Sequence, residues 1–211
     1  MRIAIIGGTG SLGAGLALRL SKRHEVLVGS RDAQRATKAA RRLSDLAGRT
    51  IAGGLATDVA TACEVAILAT SFDSGGALLS SLEAPLSRKL VISPIVPMKV
   101  QAGLFVYTPA GVSAAEQAAS ILKESLVAAA LHTVPAPVLQ RADVPLDLDV
   151  LVAADSRQTF EDAASVISSM ERFRPLYAGP LTQARELERL VPLLLNVAKL
   201  NGLRNLSIKL I

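Results

Sequence analysis

The chain has no tryptophan, one cysteine, two histidines and only 3% aromatic residues among 211. Each scarcity excludes something. A single thiol, Cys63, cannot close an internal disulfide, and one Cys with two His offers no Cys/His metal centre. Cys63 lies in an apolar stretch before a strand and reads as a buried structural thiol rather than a nucleophile. The formal net charge is +5, but no basic run is interleaved with aromatics, so there is no stacking platform for nucleic acid. The surplus is better explained by anionic small-molecule ligands or a solvated basic surface. Apolar runs fall far short of a membrane span, and the N-terminus is already strand rather than a leader. We expect a soluble, cytoplasmic protein without membrane or nucleic-acid partners. What is abundant is aliphatic: half of the residues are hydrophobic, enough for a core of Ala, Leu, Val and Ile.

Strand and helix patterns alternate. Strands are predicted at 2–6, 24–29, 50–54, 64–70, 89–94 and 126–131, and helices at 11–22, 33–47, 57–62, 74–83 and 113–123. Continuous apolar runs such as Val65–Ala69 fit a sheet covered on both faces. The fold class is therefore α/β, a Rossmann doubly wound parallel sheet. The grammar changes at the proline-rich HTVPAP, residues 132–137. Beyond it come a strand at 150–154, a helix at 157–170, a strand at 175–178, a helix at 182–201 that Pro192 interrupts or kinks, and an apolar tail, 206–211. We expect a dinucleotide-binding domain over 1–135, a small C-terminal α/β unit over 136–211, and a substrate cleft between them.

The first thirteen residues, MRIAIIGGTGSLG, carry the sharpest signal. A short apolar strand enters a turn with Gly8, Gly10 and Gly13 at GxGxxG spacing, and a helical pattern follows at once, the context of a dinucleotide fingerprint. Gly8 is expected to make the tight turn, Gly10 to admit a pyrophosphate, and Gly13 to let the helix pack closely. The helix N-terminus then faces the phosphates. A site for NAD usually ends its second strand in an acid about 20 residues on, for the ribose 2′-hydroxyl. Here that tip is Ser30 followed by Arg31, with Arg35 one helical turn further. A hydroxyl beside guanidinium forks suits a 2′-phosphate, so the pattern reads as NADP. Asp32 reads as the cap of the next helix.

Three loops end strands on the ligand side of such a sheet: Thr70–Phe72–Asp73, residues 93–97 and residues 131–136. They are mostly apolar and hold no paired base and acid. Alcohol oxidation needs a base for the hydroxyl proton, whereas hydride transfer between two ring systems needs alignment and exclusion of water. His132 is the one titratable candidate there, a structural imidazole or a substrate contact.

These segments together resemble a known family. GGTGSLGAGLALRL, VGSRD, LVISPIVP, AALHTVPA, PLLLNVAKLNG and the terminal SIKLI are similar, in order and over nearly the whole chain, to the F420-dependent NADP reductases. Those are small homodimeric Rossmann proteins that pass a hydride between NADP and the deazaflavin coenzyme F420. The resemblance implies that Thr9, Gly10, Ser11 and Leu12 form the pyrophosphate loop and that Ser30, Arg31 and Arg35 clamp the 2′-phosphate. It further implies that Thr70, Val96 and Ala136 meet the nicotinamide half, and that His132, Val134, Pro135 and Leu206 meet the deazaflavin. It implies no metal. One departure is clear: a Pro-Trp-x-His segment frequent in the family is Ser71, Phe72, Asp73, Ser74 here. Other readings of the same residues are an NADPH-dependent reductase of a flavin or small carbonyl, and a non-catalytic NADP-binding module. The Leu- and Val-rich helix 187–200 suits a dimer interface or a helix buried within one chain.

Overall fold

The computed structural model describes residues 1–71 and 75–211, so the expected Phe72, Asp73 and Ser74 lie outside the described residues. Its strands are β1 (Arg2–Ile6), β2 (Glu25–Ser30), β3 (Ile51–Leu55), β4 (Val65–Leu68), β5 (Leu90–Ser93), β6 (Met98–Gln101), β7 (Leu104–Tyr107), β8 (Leu126–Ala129), β9 (Leu148–Ala154) and β10 (Phe173–Gly179). The helices are α1 (Ser11–Leu20), α2 (Ala33–Ala47), α3 (Ala56–Ala62), α4 (Gly75–Leu82), α5 (Ala114–Ile121), α6 (Ala136–Leu139), α7 (Arg157–Ser168) and α8 (Ala184–Leu200).

Eight strands form one sheet in the order β10-β9-β8-β5-β4-β1-β2-β3. All neighbours run parallel except β8 and β9, which pair antiparallel. The chain after residue 135 thus adds β9 and β10 to the same sheet as β1. Side chains alternate across the strands: Ile3 and Ile5 enter one core with α1, α2 and α7, while Ala4 and Ile6 enter the other with α3, α4 and α5. Strand order reverses between β1 and β4, where ligands of such sheets bind beyond the carboxyl ends.

That reversal point is built of glycine. Gly7 takes φ +84°, and a Cβ there would lie 2.5 Å from the Ala69 carbonyl oxygen. The tight turn is therefore made by Gly7, one residue earlier than expected, because the strand register places Ile6 level with both Gly29 and Leu68. Gly8 instead permits contact with Val28, 2.9 Å from a hypothetical Cβ. Gly13 behaves as expected, since its Cβ would fall 2.5 Å from Gly8 Cα and so α1 can seat on the turn.

Two features escape the periodic pattern. β6 and β7 form a separate hairpin closed by Ala102 and Gly103, both at positive φ, a pair of values that matches the twist of a hairpin. The short α6 is held by Arg19, a buried arginine on α1. Arg19 donates to the carbonyls of Val144 (2.8 Å), Arg141 (2.9 Å) and Leu139 (3.0 Å). These are carbonyls at and beyond the end of α6, which lack donors within the helix. Gly15 allows this approach, since its Cβ would meet Leu139 Cβ at 2.4 Å. At the far edge, buried Asp149 accepts both guanidinium donors of Arg174 (2.7 and 2.6 Å) and the Leu210 amide (2.6 Å), tying the C-terminal tail to β9 and β10. Arg174 holds the Asp149 carboxyl well below the usual range. Cys63 is buried with its pKa raised by burial, as expected of a structural thiol.

Replacing Arg19 by Met removes the side-chain donor from the Leu139 and Val144 carbonyls. Unfolding free energy should fall by about 3 kcal/mol, read from the urea midpoint, and a loss below about 1 kcal/mol would contradict this role for Arg19.

Candidate functional site

Three cavities lie end to end along the carboxyl edge of the sheet. The first, about 400 Å³, lies over the turn between β1 and α1 and reaches the ends of β2 and β4. Thr9, Gly10, Ser30, Arg31, Arg35 and Thr70 all line it. Gly10 is the N-cap of α1 and gives no side-chain cap, so the first N–H groups of α1 need an outside acceptor. A Cβ on Gly10 would come near only the Gly7 carbonyl oxygen, at 3.5 Å. The loop is thus open on the cavity side and tight on the protein side, which suits a pyrophosphate lying on backbone amides.

Arg31 and Arg35 are exposed, and among the described residues neither forms an ion pair. Asp32 caps α2, accepting from the Arg35 amide at 3.1 Å, and Ser30 Oγ accepts from the Asp32 amide at 3.3 Å. The capping fixes the start of α2 and so aims Arg35 into the cavity. Two uncompensated guanidiniums beside an uncapped helix N-terminus form an anion site of the kind a 2′-phosphate and a pyrophosphate need together.

The second cavity, about 550 Å³, shares Thr70 and Ser71 with the first and brings together Leu12, Val96, His132, Val134 and Ala136. Residues missed by sequence reasoning also line it: Met98, Lys99 and Thr108, from the hairpin and its exit, and Val191 from α8. The third, about 660 Å³, shares His132, Val134, Ala136 and Val191 with the second. It adds Pro135, Leu206 and the α8 residues Leu194, Leu195 and Ala198. The 191, 194, 195, 198 spacing is one helical face, a signal present in the sequence. Of the expected residues, Gly8 lines a side groove with Thr9 and Arg35. Gly13 packs beneath the turn, and Ser11 is exposed at the start of α1 with its carbonyl accepting from Gln140 at 3.3 Å.

His132 stands where the second and third cavities meet. Its Nε2 is buried and has no hydrogen-bond partner among the described residues. Burial lowers its pKa to about 4, so the ring is neutral at pH 7 and the wall between the cavities carries no charge there.

Helix α8 fixes the roof. Asn196 accepts from the Phe105 amide and donates to the Phe105 carbonyl, both at 2.8 Å. Lys199 donates to the Gly103 carbonyl. Glu188, 0% exposed, accepts from the Tyr107 hydroxyl (2.7 Å) and the Ala114 and Ala115 amides (3.1 and 3.2 Å). Its carboxyl pKa is raised by burial, yet three donors satisfy it. Pro192 sits buried inside α8, which runs on through it. The hairpin is thereby held over the second cavity, although its own sequence is too short and too exposed to fold alone.

A Rossmann sheet with a glycine turn and an unpaired cationic tip defines the class, a dinucleotide-binding protein of the reductase type. Residues 2–97 match the family described as NADP oxidoreductase, coenzyme F420-dependent. The chain is 36% identical to the F420-dependent NADP reductase of Methanothermobacter thermautotrophicus over 100% of its own length and 94% of that protein. It is 32% identical to the enzyme of that name from Methanocaldococcus jannaschii, over 93% and 92% of the two chains. A crystal structure from Arthrobacter sp. FB24, assigned there as a candidate F420-dependent NADP-reductase, superposes with a TM-score of 0.84. Its identity to this chain is 25%, over 100% of this chain and 99% of that one. The chain belongs to the F420-dependent NADP oxidoreductase family.

The burial of His132 has a pH consequence. An unfolded imidazole titrates near 6.5 and the folded one near 4, so protonation favours the unfolded chain. The stability is full above about pH 6.5 and is lost as pH falls towards 4. From pH 7 to pH 5, the native chain should lose about 1 kcal/mol relative to His132→Gln, allowing for solvent around the half-buried ring. Parallel urea midpoints for the two proteins would contradict the burial argument.

Proposed function

We propose that this protein transfers a hydride between NADP(H) and the deazaflavin coenzyme F420. The single observation that carries the reading is the chain of three connected cavities: a basic, backbone-lined one, then a mixed one that Lys99 reaches, then one lined mainly by apolar side chains with Arg204 at its edge. When bound, the two coenzymes supply the chemistry themselves, a hydride passing between nicotinamide C4 and deazaflavin C5. The protein's part is to bind, align and keep water out.

In this assignment Thr9, Gly10, Ser11 and Leu12 hold the pyrophosphate on the amides opening α1, with Gly8 and Gly13 shaping the loop. Ser30, Arg31 and Arg35 take the 2′-phosphate. Thr70, Val96 and Ala136 border the nicotinamide. His132, Val134, Pro135 and Leu206 border the deazaflavin, with the apolar face of α8 behind. The meeting point is at His132, whose imidazole, its pKa lowered to about 4 by burial, is neutral at pH 7. The substrate cleft runs between residues 1–135 and the remainder, its deazaflavin half shared by residues 132–135 and the C-terminal residues of α8 and the tail.

We also read the protein as a cytoplasmic homodimer. Among the described residues no helix is long and apolar enough to cross a membrane. Leu200 is 70% exposed and Val100 62% exposed, beside the exposed Leu193 and Val197, and an apolar surface spread over α8 and the hairpin suits a second copy.

Mixing the protein with NADPH and oxidised F420 should bleach the deazaflavin absorbance, and NADH should act slowly. No bleaching with either nucleotide would overturn the reading. In the same assay Arg31→Ala should weaken NADPH binding by roughly 1.5–3 kcal/mol, about 10- to 100-fold, and NADH binding little. Equal losses would remove Arg31 from the clamp.

A further inference from the structure

A side groove of about 260 Å³ opens from the NADP cavity between the glycine turn and α2. Thr9 and Arg35 line both spaces. Lys38 and Arg42 line the groove alone. With Arg35 they stand at i, i+3 and i+7 on α2, the spacing of one helical stripe, so all three cations face the opening of α1. Both side chains are exposed, and among the described residues neither is in an ion pair. Two carboxylates flank the stripe along the helix, Asp32, which accepts from the Arg35 amide, and Asp45, three residues beyond Arg42. With three cations and no ion pair to either carboxylate among the described residues, the stripe is a net positive field beside a site for an anion.

We propose that Lys38 and Arg42 extend the phosphate clamp along α2 and set the rate at which NADPH is captured, so that specificity for the 2′-phosphate resides in four cations rather than two. This rests on the reading of the first cavity as the NADP site. Long, solvated side chains outside the cavity hold no fixed geometry on the bound phosphate, so they act on encounter more than on residence. The 2′-phosphate adds roughly 1.5–2 negative charges, so the pull on NADPH exceeds that on NADH. The effect reaches about 20 Å at low ionic strength and fades when the Debye length shrinks to a few ångströms.

The test is stopped-flow binding followed by the fluorescence of NADPH itself, with which no tryptophan of this chain interferes. Lys38→Gln/Arg42→Gln keeps good helix formers on an exposed face. Near 20 mM salt the double variant should associate with NADPH about three- to tenfold more slowly, with dissociation changed less than about twofold. At 0.5 M salt the two proteins should converge, and NADH should show a smaller difference throughout. Identical association rates and salt slopes in variant and native protein would overturn the proposal. If Arg31→Ala also leaves NADPH affinity unchanged, the assignment of the cavity itself falls.

Discussion

At the end of β1 the backbone passes so close to its neighbours that three side chains are excluded. Gly7 faces the Ala69 carbonyl, Gly8 faces Val28, and Gly13 faces Gly8, each with a hypothetical Cβ at 2.9 Å or less from another atom. This packing brings the N-terminus of α1 to the strand-order reversal between β1 and β4. The anion site, the aim of Arg35 and the junction with the second cavity at Thr70 all depend on it. At Gly7 and Gly13 the atoms approached are backbone, so side-chain repacking cannot make room there.

The second half of the site depends on tertiary contacts to the first. Arg19 and Gly15 on α1 hold α6 close, and α6 begins at Ala136, which lines both the second and third cavities. Glu188, Asn196 and Lys199 on α8 hold the hairpin that roofs the second cavity. One helix thus supplies the apolar wall of the third cavity and, through the hairpin, the roof of the second. A hydride step sensitive to sub-ångström placement is served by that shared support.

How much of this was legible in the sequence follows from where each signal resides. The buried parallel strands announce themselves as apolar runs, and no predicted limit differs from the observed one by more than two residues. That Gly10, Ser30, Arg31 and Arg35 share one cavity was readable because the signal is local: glycines at fixed spacing, then the tip of the second strand. The turn was placed on Gly8 instead of Gly7, because spacing gives the motif but only strand register decides which glycine takes positive φ. The hairpin at 98–107 was missed because both strands are four residues long, β6 is exposed throughout and β7 at alternate positions, and their support comes from α8, about ninety residues later. The burial of Arg19 was equally hidden, since nothing in the local sequence of α1 says that carbonyls 120 residues on will surround it.

The central claim is that the two rings meet directly across the wall at His132, with water excluded. The measurement is isotope tracing with NADPH carrying deuterium at the transferred C4 position, followed by mass spectrometry of the reduced deazaflavin. The account predicts that the label is found at deazaflavin C5 and that none is exchanged with solvent. Loss of the label to water, or deuterium entering C5 from heavy water with unlabelled NADPH, would contradict it.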